Sequence, residues 1–274
     1  MLKASGIGHA AILCFTLYAL AACNQEVSSA QVEAQIEAQK PIVDSVTEVP
    51  DFAAIRGIKA RKKAFFDFLR PIVISENAKV AKSRLRMLRI SVQLDNGEAV
   101  STRDKAWLEE LADKYHIPMH SLQDSGAWEM LKRRVDTVPF RLALAQAANE
   151  SSWGTSRFAR EGRNLFGQWC FKPGCGMVPK RRREGMTHEV AVFSSVNASV
   201  ASYLHHLNRV DIYKPLRLTR VENREDGTRP TAKGLAGGLT GYSERGEDYV
   251  DDIRKMIRVN YDLMAGTEPV STGA

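Results

Sequence analysis

From Asp51 to Met264 the apolar residues recur at helical spacing, and only the stretch from Trp169 to Phe193 breaks the pattern. Phe52, Ile55, Ile58, Phe65, Phe66 and Leu69 follow one another at steps of three, four and seven up to Pro71, and Val80 to Leu94 continues in that style. Ser101 and Asp104 have the spacing of a capping box ahead of a helix striped with Trp107, Leu108, Leu111 and Tyr115, which Pro118 should end. Further helices are expected over 138–153, 199–209 and 246–264, the last with Tyr249, Ile253, Met256, Ile257 and Tyr261 on one side. The interruption is rich in Gly, Pro and Cys and closes on the strand-like His188-Glu-Val-Ala-Val-Phe193, so it reads as a loop or short β-hairpin between helices. Such a chain is mainly α, in the α+β sense of a helical body with a small β element. With 44% apolar and 26% charged residues over 274 positions it can bury a core, and disordered, collagenous and coiled-coil classes are excluded.

The start of the chain is of another kind. Between Ile7 and Ala22 there is no Lys, Arg, Asp or Glu, and Lys3 precedes this mostly apolar run. It is short for a bilayer span and suits the core of a signal peptide. Its end, Leu20-Ala21-Ala22-Cys23, resembles a bacterial lipobox, which implies a lipoprotein signal peptide at 1–22 and lipidation of Cys23. Asn24, where an Asp would signal inner-membrane retention, implies a periplasmic protein anchored to the outer membrane. An ordinary signal peptide cut at the same site, with Cys23 incidental, is the alternative. Residues 23–50, rich in Gln, Glu, Ala, Ser and Val, read as a flexible tether with a short helix around 29–39, and 265–274 as a disordered tail. The net charge of +7 falls to +6 when Lys3 leaves with the signal. Such a surface attracts polyanions, of which nucleic acid is not expected for an exported chain.

Cys14 leaves with the signal, so Cys170 and Cys175 remain as an isolated pair with Pro173-Gly174 between them. In an oxidising compartment the expected state is a disulfide across that turn, with free thiols or a metal site as the other readings. Zinc would need two further ligands, and none follows at the usual spacing, so no metal and no cofactor is expected.

The chemistry concentrates between Pro139 and Phe171. Leu142, Gln146 and Glu150 form one i, i+4, i+8 row beside Ala143 and Ala147, which projects Glu150 from a mostly apolar face near a helix C-terminus. A carboxyl so placed is a candidate general acid, although a solvated Glu on a helix edge has the same spacing. The residues around it add more. Ala145-Gln-Ala-Ala-Asn-Glu150-Ser-Ser-Trp153-Gly154, followed by Asn164-Leu165-Phe166-Gly167, resembles the glucosaminidase family of bacterial peptidoglycan hydrolases. Phe193-Ser-Ser before a helix with Tyr203, and Gly241-Tyr242-Ser243 before one with Tyr249, extend the likeness. Asp51-Phe-Ala-Ala-Ile55 and the Lys/Phe-rich segment after it resemble the Bax branch of that family.

The resemblance implies a lysozyme-like helical domain over 135–264 with a small β-hairpin lobe, preceded by a helical N-terminal extension over 51–134. It implies hydrolysis of the β-1,4 bond after N-acetylglucosamine in peptidoglycan glycan strands; the protein is expected to be a monomer. Glu150 would be the proton donor, Asn164, Leu165, Phe166 and Gly167 the floor of the cleft, and Tyr242 a group reaching in from the far wall. Trp153, Phe166 and Trp169 could pack on sugar faces or simply fill the core. For a second carboxylate the hairpin offers Glu189 first and Glu184 second, and assistance by the substrate's own acetamido group is the alternative. Asn149 beside the acid is unusual against the family's apolar residue there. Two other functions remain open: a peptidoglycan amidase, for which no zinc ligand set is apparent, and a non-catalytic wall-binding lipoprotein. His205 and His206 point about 100° apart on a helix, so they are not expected to share a metal, and one should be solvated. The run from Lys180 to Arg183 reads as a solvated loop, or as an attractor of wall carboxylates or anionic head groups.

Overall fold

A computed structural model describes residues 43–180 and 182–266. The expected signal peptide, Cys23, the tether up to residue 42 with its short helix, Arg181 and the tail from 267 lie outside the described residues. Within them no helix is long and apolar enough to cross a membrane.

The organising element is α1, a 38-residue helix spanning Ile58–Asp95. It runs straight through Pro71, where the sequence pattern predicts a stop. Proline removes one backbone donor from the helix ladder. Phe65, Phe66, Leu69, Ile72 and Val73 bracket that position and are all buried. Each such side chain contributes roughly 1.5–3 kcal/mol, so packing outweighs the defect of about 3 kcal/mol. The two halves of α1 serve different cores. The first half packs with the main body, while Met87 and Ile90 join a second cluster with α2 (Thr102–Lys114) and α3 (Ser125–Arg134). The Ser101 cap of α2 forms as expected, accepting the Asp104 N–H and donating its hydroxyl to the same carboxylate. The helix ends at Lys114, short of Pro118.

The main body follows in the order α4 (Phe140–Glu150), α5 (Arg157–Gly162), β1 (Trp169–Cys170), β2 (Gly176–Met177), β3 (Glu189–Ala191), α6 (Val196–Arg209), α7 (Lys214–Glu225), α8 (Ala232–Leu235), a 3-10 stretch over Ala236–Tyr242, α9 (Glu247–Val259) and α10 (Tyr261–Ala265). Helix α4, lined with buried Leu and Ala, is the central rod: α1, α8, α9 and α10 all contact it. The interruption forms a three-stranded antiparallel sheet in the order β1-β3-β2, with Trp169 and Met177 both opposite Val190. The architecture is thus mainly α with a small β lobe, as the pattern implied. The last part of the expected tether is not separate from the body. Val43, Val46 and Val49 pack on the main core, and Val46 bonds through its carbonyl to Val196 N–H and through its N–H to Asn197 Oδ1.

The junction of the two cores holds a buried charge cluster. Asp136 is buried, takes a bidentate pair from Arg224, and lies 3.5 Å from Arg84 and 3.6 Å from Arg220. Arg220, itself fully buried, also donates to the carbonyls of Arg133, Asp136 and Thr137, so its charge is delocalised over oxygens.

Candidate active site

Helix α4 ends at Glu150 because the next turn reverses handedness. Ser152, Trp153 and Gly154 all lie at positive φ (51°, 61° and 76°). Ser151 holds this turn, donating its hydroxyl to the Ala147 carbonyl at 2.6 Å and accepting the Gly154 N–H at 2.8 Å. Glycine is required at 154 for a second reason: a Cβ there would lie 2.5 Å from the Phe52 ring. The same reversal points Trp153 back at α1, where it meets Phe65 and Phe66 edge-on at 5.9 and 5.3 Å with Lys62 above its ring at 4.7 Å. Trp153 therefore packs the extension onto the body and is not presented to a sugar. The Glu-Ser-x-Trp-Gly motif is a device that stops α4 at Glu150 and locks the stop.

The Asn164-Leu-Phe-Gly turn supports the carboxyl from the other side. Asn164 is buried and uses its whole amide: Nδ2 donates to the Gln168 and Ala191 carbonyls, and Oδ1 accepts from the Phe166 and Gln168 amides. Leu165 is in the core, and Phe166 stacks on Tyr203 at 3.9 Å. These three residues are buried and brace the turn from beneath. Gly167, at φ 64°, is the one that reaches the acid, since a Cβ there would stand 3.6 Å from Glu150 Oε2. Trp169 on β1 is half exposed and stacked on His188 at 3.9 Å, so its outer ring face is open to a ligand.

Behind Glu150 lies an oriented chain of hydrogen bonds. Tyr203 Oη donates to Gln146 Oε1 at 2.7 Å, Gln146 Nε2 donates to Tyr249 Oη at 2.9 Å, and Tyr249 Oη donates to Glu150 Oε1 at 2.9 Å. Asn149 Nδ2 donates to the same Oε1 at 3.1 Å. Both donors fall on one carboxyl oxygen, leaving Oε2 beside Gly167 with no hydrogen bond from any described residue. Tyr242 stacks on Tyr249 at 5.4 Å and donates its hydroxyl to the Phe166 carbonyl at 2.8 Å. Burial, reinforced by the Glu150 charge, raises the Tyr249 phenol far above its ordinary range; burial and Tyr213 do the same for Tyr203, burial and Tyr249 for Tyr242, and burial pushes Tyr213 up to about 12. All four phenols therefore stay protonated. Gln146 and Tyr249 escape a search for acids and aromatics because each looks like a core position. The available signal is a fully polar side chain, Gln146, in the apolar row that carries Glu150.

The hairpin carboxylate has other work. Glu189 Oε1 accepts the Gly174 N–H at 3.0 Å, inside the loop closed by the Cys170–Cys175 disulfide, and Oε2 the Gly176 N–H at 2.7 Å, just past it. Those two amides hold its carboxyl below the usual range. Cys170, Cys175 and Glu189 cluster because of this clamp, and with both sulfurs bonded to each other the group offers no thiolate for a metal. Glu184 is exposed in the loop. His205 and His206 each pack on a different tyrosine, Tyr115 and Tyr213, so neither is simply solvated.

Residues 126–262 match the Glucosaminidase family, described as mannosyl-glycoprotein endo-beta-N-acetylglucosaminidase. The chain belongs to the Glucosaminidase family. It is also 32% identical over 219 residues to Protein bax of Escherichia coli strain K12, covering 80% of this chain and 77% of that protein. No solved structure matches. The family segment begins in α3, so Glu150, the Asn164–Gly167 turn, the β lobe and Tyr249 all fall inside it, whereas α1 and α2 precede it. Membership in the Glucosaminidase family makes this a glycosidase domain acting on a glycan.

Proposed function

We propose that this glycosidase cleaves the β-1,4 bond after N-acetylglucosamine in the glycan strands of peptidoglycan, with Glu150 as general acid, while held by a lipid on Cys23 at the periplasmic face of the outer membrane. The observation that carries the reading is the one-sided hydrogen bonding of Glu150. With Tyr249 and Asn149 donating to Oε1, the acidic proton is directed to Oε2, on the side where Gly167 leaves room for a sugar. A proton passed from Oε2 to the glycosidic oxygen lets the C1–O bond break with oxocarbenium character. The tyrosine and glutamine chain holds the carboxyl in one rotamer throughout, which is how a supporting shell serves a reacting group.

Stabilisation of the opposite sugar face is assigned to the substrate. Glu189 has both oxygens committed to the disulfide loop, and no carboxylate is among the hydrogen-bond partners of Glu150. The carbonyl oxygen of the 2-acetamido group would attack C1 as the leaving group departs, and water, deprotonated by the Glu150 carboxylate, would then open the cyclic intermediate with net retention. Trp169 is the sugar-stacking ring of this reading.

Glu150→Gln is expected to abolish release of reducing sugars from purified sacculi with the fold unchanged, and undiminished release would refute the assignment. Glycan stripped of its N-acetyl groups should resist the wild-type protein if the acetamido group participates.

A further inference from the structure

A large cavity lies not at Glu150 but at the opposite end of α4, about 15 Å away along the helix. It is a groove of about 970 Å³ between the N-terminus of α4, the middle of α1, the loop from Gly227 to Thr231 and the outer side of α9. Six cations line it, Arg141, Arg224, Arg229, Lys233, Arg254 and Arg258, and no carboxylate does. Arg224 is committed to Asp136, and Arg254 lies 3.7 Å from Asp251. Arg141, Arg229, Lys233 and Arg258 form no ion pair with any described residue. Like charges gathered without counterions repel one another, so the fold carries a standing electrostatic cost at this place.

One member of the set is built rather than loose. The Arg141 guanidinium lies 4.7 Å from the Phe140 ring centroid and 4.1 Å from that of Tyr261, and its Nε is buried with no hydrogen-bond partner. The two rings fix the plane of the guanidinium, which suits edge-on pairing with a planar anion. The floor is apolar, made by Ile74, Ala78, Val138 and Ile257. A concave groove with an apolar floor and cationic rim matches a short chain that alternates small apolar groups with carboxylates. A membrane surface would need protruding apolar side chains, and a phosphate polymer has no use for the apolar floor.

We propose that this groove binds a short peptide bearing free carboxylates, separately from the catalytic cleft. The stem peptides of the wall are such chains if the function proposed above holds, but the assignment of ligand chemistry rests on the groove alone. Binding at one end of α4 while a glycan lies at the other would let the protein hold one strand as it cuts its neighbour.

The test is isothermal titration of the full chain with the synthetic peptide Ala-Ala-Glu-Ala-Glu, free at its C-terminus, and with its fully amidated Gln counterpart. The free acid should bind at least about tenfold more tightly than the amide. The triple variant Arg229→Glu, Lys233→Glu, Arg258→Glu should erase that preference without lowering the thermal unfolding temperature, because all three residues are exposed and their removal relieves the repulsion. Glu150→Gln should leave the binding intact, which separates this proposal from the catalytic one. Equal affinity for the two peptides, or binding indifferent to the triple variant, would overturn it. So would complete competition by inorganic phosphate, or tighter charge-dependent binding of anionic vesicles than of the peptide.

Discussion

Tyr249→Phe removes one oxygen from the chain of hydrogen bonds behind Glu150, and its consequence divides into two parts. The first is structural. Gln146 is fully buried, and its Nε2 loses the only acceptor it has among the described residues. Stranding a buried donor costs about 1–3 kcal/mol, which for a domain of this size lowers Tm by roughly 2–12 °C. The second is catalytic. A hydrogen bond to a carboxyl group contributes about 1.5–3 kcal/mol, and if it holds Oε2 in line with the leaving oxygen its loss lowers kcat by about 10- to 150-fold. Tyr203→Phe is the control, because it strands Gln146 Oε1 at similar structural cost yet sits two bonds further from the acid. The assay is sugar release from sacculi beside thermal unfolding for both variants. Comparable losses of Tm with a much larger loss of kcat in Tyr249→Phe support the positioning role. If both variants keep wild-type kcat while melting early, the chain is only a core brace and the reasoning fails.

Other consequences follow from the same geometry. Gly154→Ala puts a Cβ 2.5 Å from the Phe52 ring at a left-handed position, which should cost about 2–5 kcal/mol on unfolding and be read directly from denaturant midpoints. Burial alone would raise the Asp136 carboxyl, but Arg220, Arg224 and Arg84 hold it below its ordinary range; a depressed folded value stabilises fully above the unfolded value near 4 and is lost as pH falls below it. Acid unfolding should therefore be flatter below about pH 4 in Asp136→Asn, a variant that starts out less stable by roughly 3–5 kcal/mol. Burial also lowers His205 to about 4, so its contribution is complete above about pH 6.5 and fades as pH drops toward the folded value; His205→Gln should remove that part of the slope. Reducing the Cys170–Cys175 bond should loosen the β lobe by about 2 kcal/mol, seen as faster hydrogen exchange at the Gly174 and Gly176 amides that bind Glu189. Cys23→Ala should move the protein from the membrane to the soluble fraction if the lipid anchor is real.

The helical body was legible because its apolar residues keep the 3.6-residue period, and the β lobe because Gly, Pro and Cys interrupt that period. The reach of α1 was not. A proline is a local signal, whereas the reason the helix survives it is the burial of Phe66, Leu69, Ile72 and Val73 against distant helices. The fate of Val43, Val46 and Val49 was hidden for a related reason: short apolar residues among polar ones look like a linker until Asn197 and Val196 supply backbone partners. At the site, Glu150 was visible from its place in an apolar row, but the direction of Trp153 depends on two left-handed residues whose conformation no side-chain pattern announces. Glu189 was a fair candidate by its position on the hairpin, and only the amides of Gly174 and Gly176 reveal that it braces the loop.

The central claim is that Glu150 protonates the bond after N-acetylglucosamine. Mass spectrometry of fragments released from purified sacculi, with wild type and a folded Glu150→Gln side by side, tests it most directly. The account predicts wild-type fragments that end in a reducing N-acetylglucosamine and none above background from the variant. Fragments from Glu150→Gln at the wild-type rate, or wild-type products in which peptide is severed from intact glycan, would contradict it.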